Sequence, residues 1–93
     1  MRMTMTTVWL KVDEGRFVQS FQDARGKLNS AEEEVVFDFS TVLRIDPSAI
    51  RAMEEFATIA DDKGVKIVLR GVSTGIYKVF KLVKLASRFV FTD

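Results

Sequence analysis

The sequence predicts a small α/β domain, a single unit over residues 1–93 with a mixed sheet of about four strands and three helices. Three observations point there. Residues 35–40, V-V-F-D-F-S, are apolar at nearly every position, the pattern of a parallel strand covered on both faces. A helix-period stretch runs from Pro47 to the stop at Gly64, and a second apolar run, residues 65–72, follows at once; strand, helix and strand in that order make a right-handed crossover if the strands pair in parallel. The third observation is size and composition: 93 residues, 47% hydrophobic and 29% charged, suit one globular core.

The elements follow in order. Residues 6–12 alternate Val8, Leu10 and Val12 against Thr7, Trp9 and Lys11, a strand with one wetter face. Trp9 falls on that outer face, the ordinary place for an amphipathic aromatic at a sheet margin and one where a partner can also reach it. Asp13, Glu14 and Gly15 make a turn, after which Phe17, Phe21, Ala24 and Leu28 keep helical spacing to about Asn29. Asn29, Ser30 and the acidic run 32–34 form the loop before the central strand, read as a solvated turn rather than a metal site. Within that strand Asp38 needs hydrogen-bond partners, which the neighbouring turn or the next helix start can supply; this structural role is preferred to direct binding.

The second helix, from Pro47 to about Lys63, places Ala49, Met53, Phe56 and Ala60 on one stripe, widened by Ala57 and Ile59. Gly64 is its stop. The loop 71–75 lies at the same end of the sheet as the Asp46 turn, where open α/β sheets place their sites, so Ser73 and Thr74 are expected to border Ser48. A third helix from about Thr74 to Leu85 spaces Ile76, Val79, Phe80 and Val83 for burial. Its Lys78, Lys81 and Lys84, with Arg88 nearby, share an outer sector, read as a solvated face in preference to a membrane or acidic-partner contact. Phe89, Val90 and Phe91 close the sheet as a short strand, and no repeat or linker suggests a second domain.

Absences narrow the function. There is no Cys and no His, which removes disulfides, thiolate nucleophiles, the commonest general base and most zinc sites. There is also no GxSxG elbow, no GK[ST] phosphate loop and no SxxK pair, so an enzyme is ranked last, and neither metal nor cofactor is expected. A net charge of +1 supplies no general attraction to nucleic acid. No apolar run approaches a membrane span, and the start M-R-M-T-M-T-T lacks a signal peptide's apolar stretch; a cytoplasmic protein without membrane insertion is expected.

The candidate site is the turn that opens the second helix. Asp46 is a strong N-cap and Pro47 suits the first helical position, where no N–H is needed. Ser48 is then the second helical residue, beside free amides and the positive end of the helix dipole, where a phosphate dianion is stabilised. By spacing alone Ser48 is either a good first-turn residue, the commoner case, or a modifiable hydroxyl.

These same residues carry a resemblance. From about Val35 to Phe91 the chain resembles the STAS domain, the family of anti-sigma factor antagonists and of the cytoplasmic tails of sulfate transporters. The family's strand of the form V-V-L-D-L-S is matched by V-V-F-D-F-S, with Asp38 and Ser40 on its Asp and Ser. Its D-S-S-G-L turn is matched by D-P-S-A-I, with Pro47 in place of the first Ser and Ala49 in place of the Gly. Ser48 falls on the serine phosphorylated in the antagonist subfamily. The later K-I-V-L-R-G-V-S-T-G-I-Y-K-V-F-K-L-V-K-L resembles the family's next strand, loop and final helix, whereas the first 30 residues match poorly.

The resemblance implies a protein-binding regulator that engages a kinase-type anti-sigma factor, is switched off when that serine kinase modifies Ser48, and is restored by a serine phosphatase. Asp46 is then the cap and orienting acid, Asp38 and Pro47 are structural, and Arg44, Ile45, Ala49 and Ile50 are candidate contacts, with Thr41 and Thr74 at the rim. The alternative is an unphosphorylated STAS subunit docked on a transporter ATPase of a lipid or anion transport complex.

Overall fold

A computed structural model of the chain describes residues 7–28 and 34–93. The strands are β1 (Thr7–Lys11), β2 (Glu34–Asp38), β3 (Lys66–Arg70) and β4 (Val90–Thr92). The helices are α1 (Phe17–Lys27), α2 (Pro47–Lys63) and α3 (Thr74–Leu82), with short 3-10 turns at Glu14–Arg16 and Ala86–Arg88. Of the acidic run, Glu34 opens β2, and Asn29, Ser30 and residues 32–33 lie outside the described residues.

The four strands lie in sequence order and every neighbouring pair is parallel. The class and the numbers of strands and helices are those predicted, but the sheet is parallel throughout rather than mixed. The cause is connectivity. Each strand reaches the next through a helix, so the chain always returns to the same end of the sheet.

All three helices cover one face. The register aligns Leu10, Phe37, Leu69 and Phe91 across the sheet on that side. Phe21 of α1 stacks on Phe37 at 4.4 Å between ring centroids, Phe56 of α2 meets Phe37 at 5.2 Å, and Phe80 of α3 lies 6.1 Å from Phe91. Phe39, just past β2, bridges the layers, at 5.6 Å from Phe17 and 6.3 Å from Phe80. Such pairs add about 0.5–1.5 kcal/mol each beyond the area they bury.

The alternate row, Trp9, Val36, Val68 and Val90, faces away from the helices, and no described helix covers it. The expected burial of β2 on both faces holds all the same, since Val35, Val36 and Phe37 are all buried. Val36 and Val68 lie on the two central strands, and among the described residues helices lie on the other side of the sheet only.

α2 has the predicted bounds. It ends with Gly64 in the left-handed region at φ 70°, while the Val65 N–H donates to the Ala60 carbonyl at 2.8 Å. α3 ends in the same way but earlier than predicted: the Leu85 N–H donates to the Phe80 carbonyl at 2.8 Å, and Lys84 takes the left-handed position at φ 63°. The position is usually glycine, and because lysine holds it here the sequence carries no visible stop. Val83, expected in the buried stripe, is exposed in this turn. Lys84→Gly is expected to raise the unfolding free energy by about 0.5–1 kcal/mol, measured by urea denaturation, whereas a loss would show that the lysine chain supplies compensating contacts.

Candidate functional site

The carboxyl ends of β1, β2 and β3 converge, and the hydrogen-bond ladder continues past them. The Val12 N–H donates to the Asp38 carbonyl at 3.0 Å, and the Phe39 N–H to the Arg70 carbonyl at 2.8 Å. Gly71, at φ 74°, passes so close to the β2 turn that a Cβ would sit 3.2 Å from the Cα and Cβ of Ser40. Both its backbone angle and its lack of a side chain are therefore needed to hold the loop after β3 against the turn after β2.

Three carboxylates organise this end. Asp38 Oδ1 accepts from the Ser40 N–H at 2.9 Å, tying the end of β2 to its own turn. Asp46 Oδ1 accepts from the Ala49 N–H at 2.8 Å and from the Ser48 hydroxyl at 2.8 Å, so it caps α2 and also orients the serine. Glu14 reaches across from the turn after β1: its Oε1 accepts from the Leu43 N–H, and from the Arg44 N–H at 3.0 Å. Each carboxyl is held below its ordinary range, chiefly by these bonds. For Asp38 the Ser40 side chain contributes most; for Asp46 it is the Ala49 amide, then the Ser48 hydroxyl; for Glu14 it is the Leu43 amide, then that of Arg44.

The loop between β2 and α2 is thus ordered from outside. Val42 is buried, anchoring its middle, and Glu14 holds the next two amides. Leu43 is left 76% exposed, an apolar side chain presented to solvent on a braced backbone. Thr41, Arg44, Asp46, Pro47 and Ser48 are exposed with it, Ile45 and Ile50 are half-buried, and Ala49 turns into the core. One shallow cleft beside this loop is lined by Glu14, Phe17, Arg44, Ile45, Asp46 and Ala49. A second, between α1 and α2, brings Ser48 beside Arg51 and Arg25.

Thr74 lines a cleft with Tyr77 and Phe91, and Ser73 caps α3 by accepting from the Ile76 N–H at 3.2 Å. Glu14 and Leu43 are the residues that the sequence reading left out of the site. An acceptor 29 residues away carries no local signal, and Leu43, standing between Val42 and Ile45, is not marked by the sequence as the outward one of the three.

The STAS domain family model matches residues 7–93. The chain belongs to the STAS domain family. Its fold is similar to that of a solved STAS domain of a SulP transporter from Vibrio cholerae, with a TM-score of 0.66 at 15% identity, covering 99% of this chain and 76% of that one. No curated protein matches. Among the described residues of this STAS domain, no helix is long and apolar enough to cross a membrane, and no cluster of acidic residues could hold a metal ion.

The Glu14 brace should be visible in solution. Because its folded carboxyl lies below the ordinary value of 4.5, its ordering effect is present above that value and is lost as pH falls through the lower folded one. Glu14→Ala is expected to abolish hydrogen-exchange protection at the Leu43 and Arg44 amides while strand amides keep theirs. In the wild type the same two amides should lose protection selectively as pH falls below 4.5 and through the lower folded value. Unchanged protection in the variant would show that the brace does not order the loop. Gly71→Ala is expected to cost about 1–3 kcal/mol in urea denaturation, through strain and the contact with Ser40.

Proposed function

We propose that this STAS domain is a cytoplasmic, non-enzymatic protein-binding module, resembling the anti-sigma factor antagonists, whose docking surface is switched off by phosphorylation of Ser48. The observation that carries the proposal is the position of Ser48, an exposed hydroxyl in the first turn of α2, hydrogen-bonded to the capping carboxylate and adjoining a braced loop that presents Leu43. A partner that covers Leu43, Arg44 and Ser48 would gain apolar burial at small ordering cost, because Glu14 already holds the backbone.

In the switch, a serine kinase transfers the γ-phosphoryl group of ATP to Ser48 Oγ, ADP leaves, and the hydroxyl proton passes to the kinase's base. The product has no proton to donate to Asp46, so the 2.8 Å bond is lost and a near-dianion faces a carboxylate. A partner closing over that pair must desolvate about three negative charges against at most the two positive charges of Arg51 and Arg25 in the adjoining cleft, so its affinity falls. A serine phosphatase reverses the step.

A second reading, a constitutive subunit docked on a transporter ATPase, takes its support from the likeness to a SulP transporter's STAS domain. One experiment separates the two. The protein is incubated with ATP and a soluble extract of its own cells, and intact mass and site mapping are followed with Ser48→Ala as control. A single phosphoryl group on Ser48, absent from the variant, is the expected result. No modification in an extract shown to contain the active cognate kinase would overturn the switch and favour the scaffold.

A further inference from the structure

The face of the sheet away from the helices carries a second pattern. Across its middle runs the apolar row Trp9, Val36, Val68 and Val90. Trp9 is 63% exposed and Val90 41% exposed at the two edges, with the buried pair between them. Charged rows flank it, with Glu34 beside Lys66 at the amino end of the strands and Asp38 beside Arg70 at the carboxyl end. Glu34 Oε2 and Lys66 Nζ lie 3.8 Å apart.

We infer that this face is a self-association surface, on which a second copy of the chain packs about a two-fold axis running parallel to the strands between β2 and β3. The axis lays β2 over the partner's β3 and β1 over the partner's β4. Glu34 then faces the partner's Lys66, and Asp38 faces the partner's Arg70. Val36 faces the partner's Val68, and the large Trp9 covers the small Val90 of the opposite edge. Each pairing occurs twice, and the charges alternate in sign around each corner of the contact.

The arrangement is selective. The other two-fold axis that brings these faces together runs across the strands and sets Glu34 against the partner's Asp38 and Lys66 against the partner's Arg70, like charge on like charge. Sheets that pack face to face keep their strands within about 30° of each other, which the first axis satisfies. Four strands of up to five residues make a face of about 15 by 16 Å. That is the size of a transient contact, below about 1,200 Å² in total, so association is expected only at high concentration, on the order of 0.1 mM.

The proposal uses no part of the Ser48 switch and is tested by sedimentation equilibrium from about 1 μM to about 1 mM. The wild type is expected to pass from monomer to dimer over that range. Trp9→Ser should weaken the association about tenfold or more while keeping the wild-type circular dichroism, since Trp9 is exposed. Glu34→Lys and Lys66→Glu each place like charges across the axis and should each be monomeric. Mixed in equal amounts, they should form a heterodimer, because the two lysines of the first variant then meet the two glutamates of the second, with opposite charges paired across the axis at both corners.

A wild type that stays monomeric to the top of the range overturns the proposal. Homodimers of either charge variant as tight as the wild type, or a mixture that stays monomeric, overturn the axis.

Discussion

The structure depends on one packing constraint: phenylalanines from three helices must meet a single row of the sheet. Phe21 and Phe56 both press on Phe37, and Phe80 lies against Phe39, Phe89 and Phe91. Every connection between neighbouring strands contains one of these helices, so burying their rings together fixes all three crossovers on the same side. A parallel sheet in simple sequential order is the consequence. So is a second face that, among the described residues, no helix covers and at which Trp9, Lys11, Lys66 and Arg70 are exposed.

The same constraint decides where chemistry can sit. Parallel strands deliver their following loops to one end, and here these loops hold each other through backbone amides and carboxylates in addition to the buried Val12, Phe39 and Val42. The choice suits a docking surface. An exposed loop that lacks core contacts is otherwise costly to order on binding, at about 1–2 kcal/mol of backbone entropy for each residue fixed. Glu14 and Asp46 remove part of that cost in advance, because their carboxylates hold four of the loop's and helix's polar hydrogens without covering the outward side chains.

What the sequence made legible was local. The start of α2 could be placed to the residue because Asp46 and Pro47 act within one turn, and its end because Gly64 relieves a left-handed angle in place. The end of α3 was hidden, since Lys84 adopts that same angle with no glycine to mark it. The Asp46 cap and its serine were legible for the reason that α2 was. The Glu14 brace was not, since it depends on how distant loops are set side by side by the sheet. Val36 and Val68 show the complementary limit: burial at the centre of a sheet gives an apolar residue whether or not a helix lies above it.

The balance at Ser48 explains why a switch at this position can leave the fold intact. A dianion beside the first amides of α2 gains from the helix dipole, typically about 0.3–1 kcal/mol at an exposed site. The same dianion repels Asp46 and takes away the hydroxyl that Asp46 holds, but both groups are in water, where screening keeps that repulsion small. The two effects oppose each other within the free domain, so its stability is little changed. Under a partner, water is excluded, the attraction to the helix stays local, and the repulsion and desolvation of the two anions grow. The energetic difference between modified and unmodified protein is thereby concentrated in the complex.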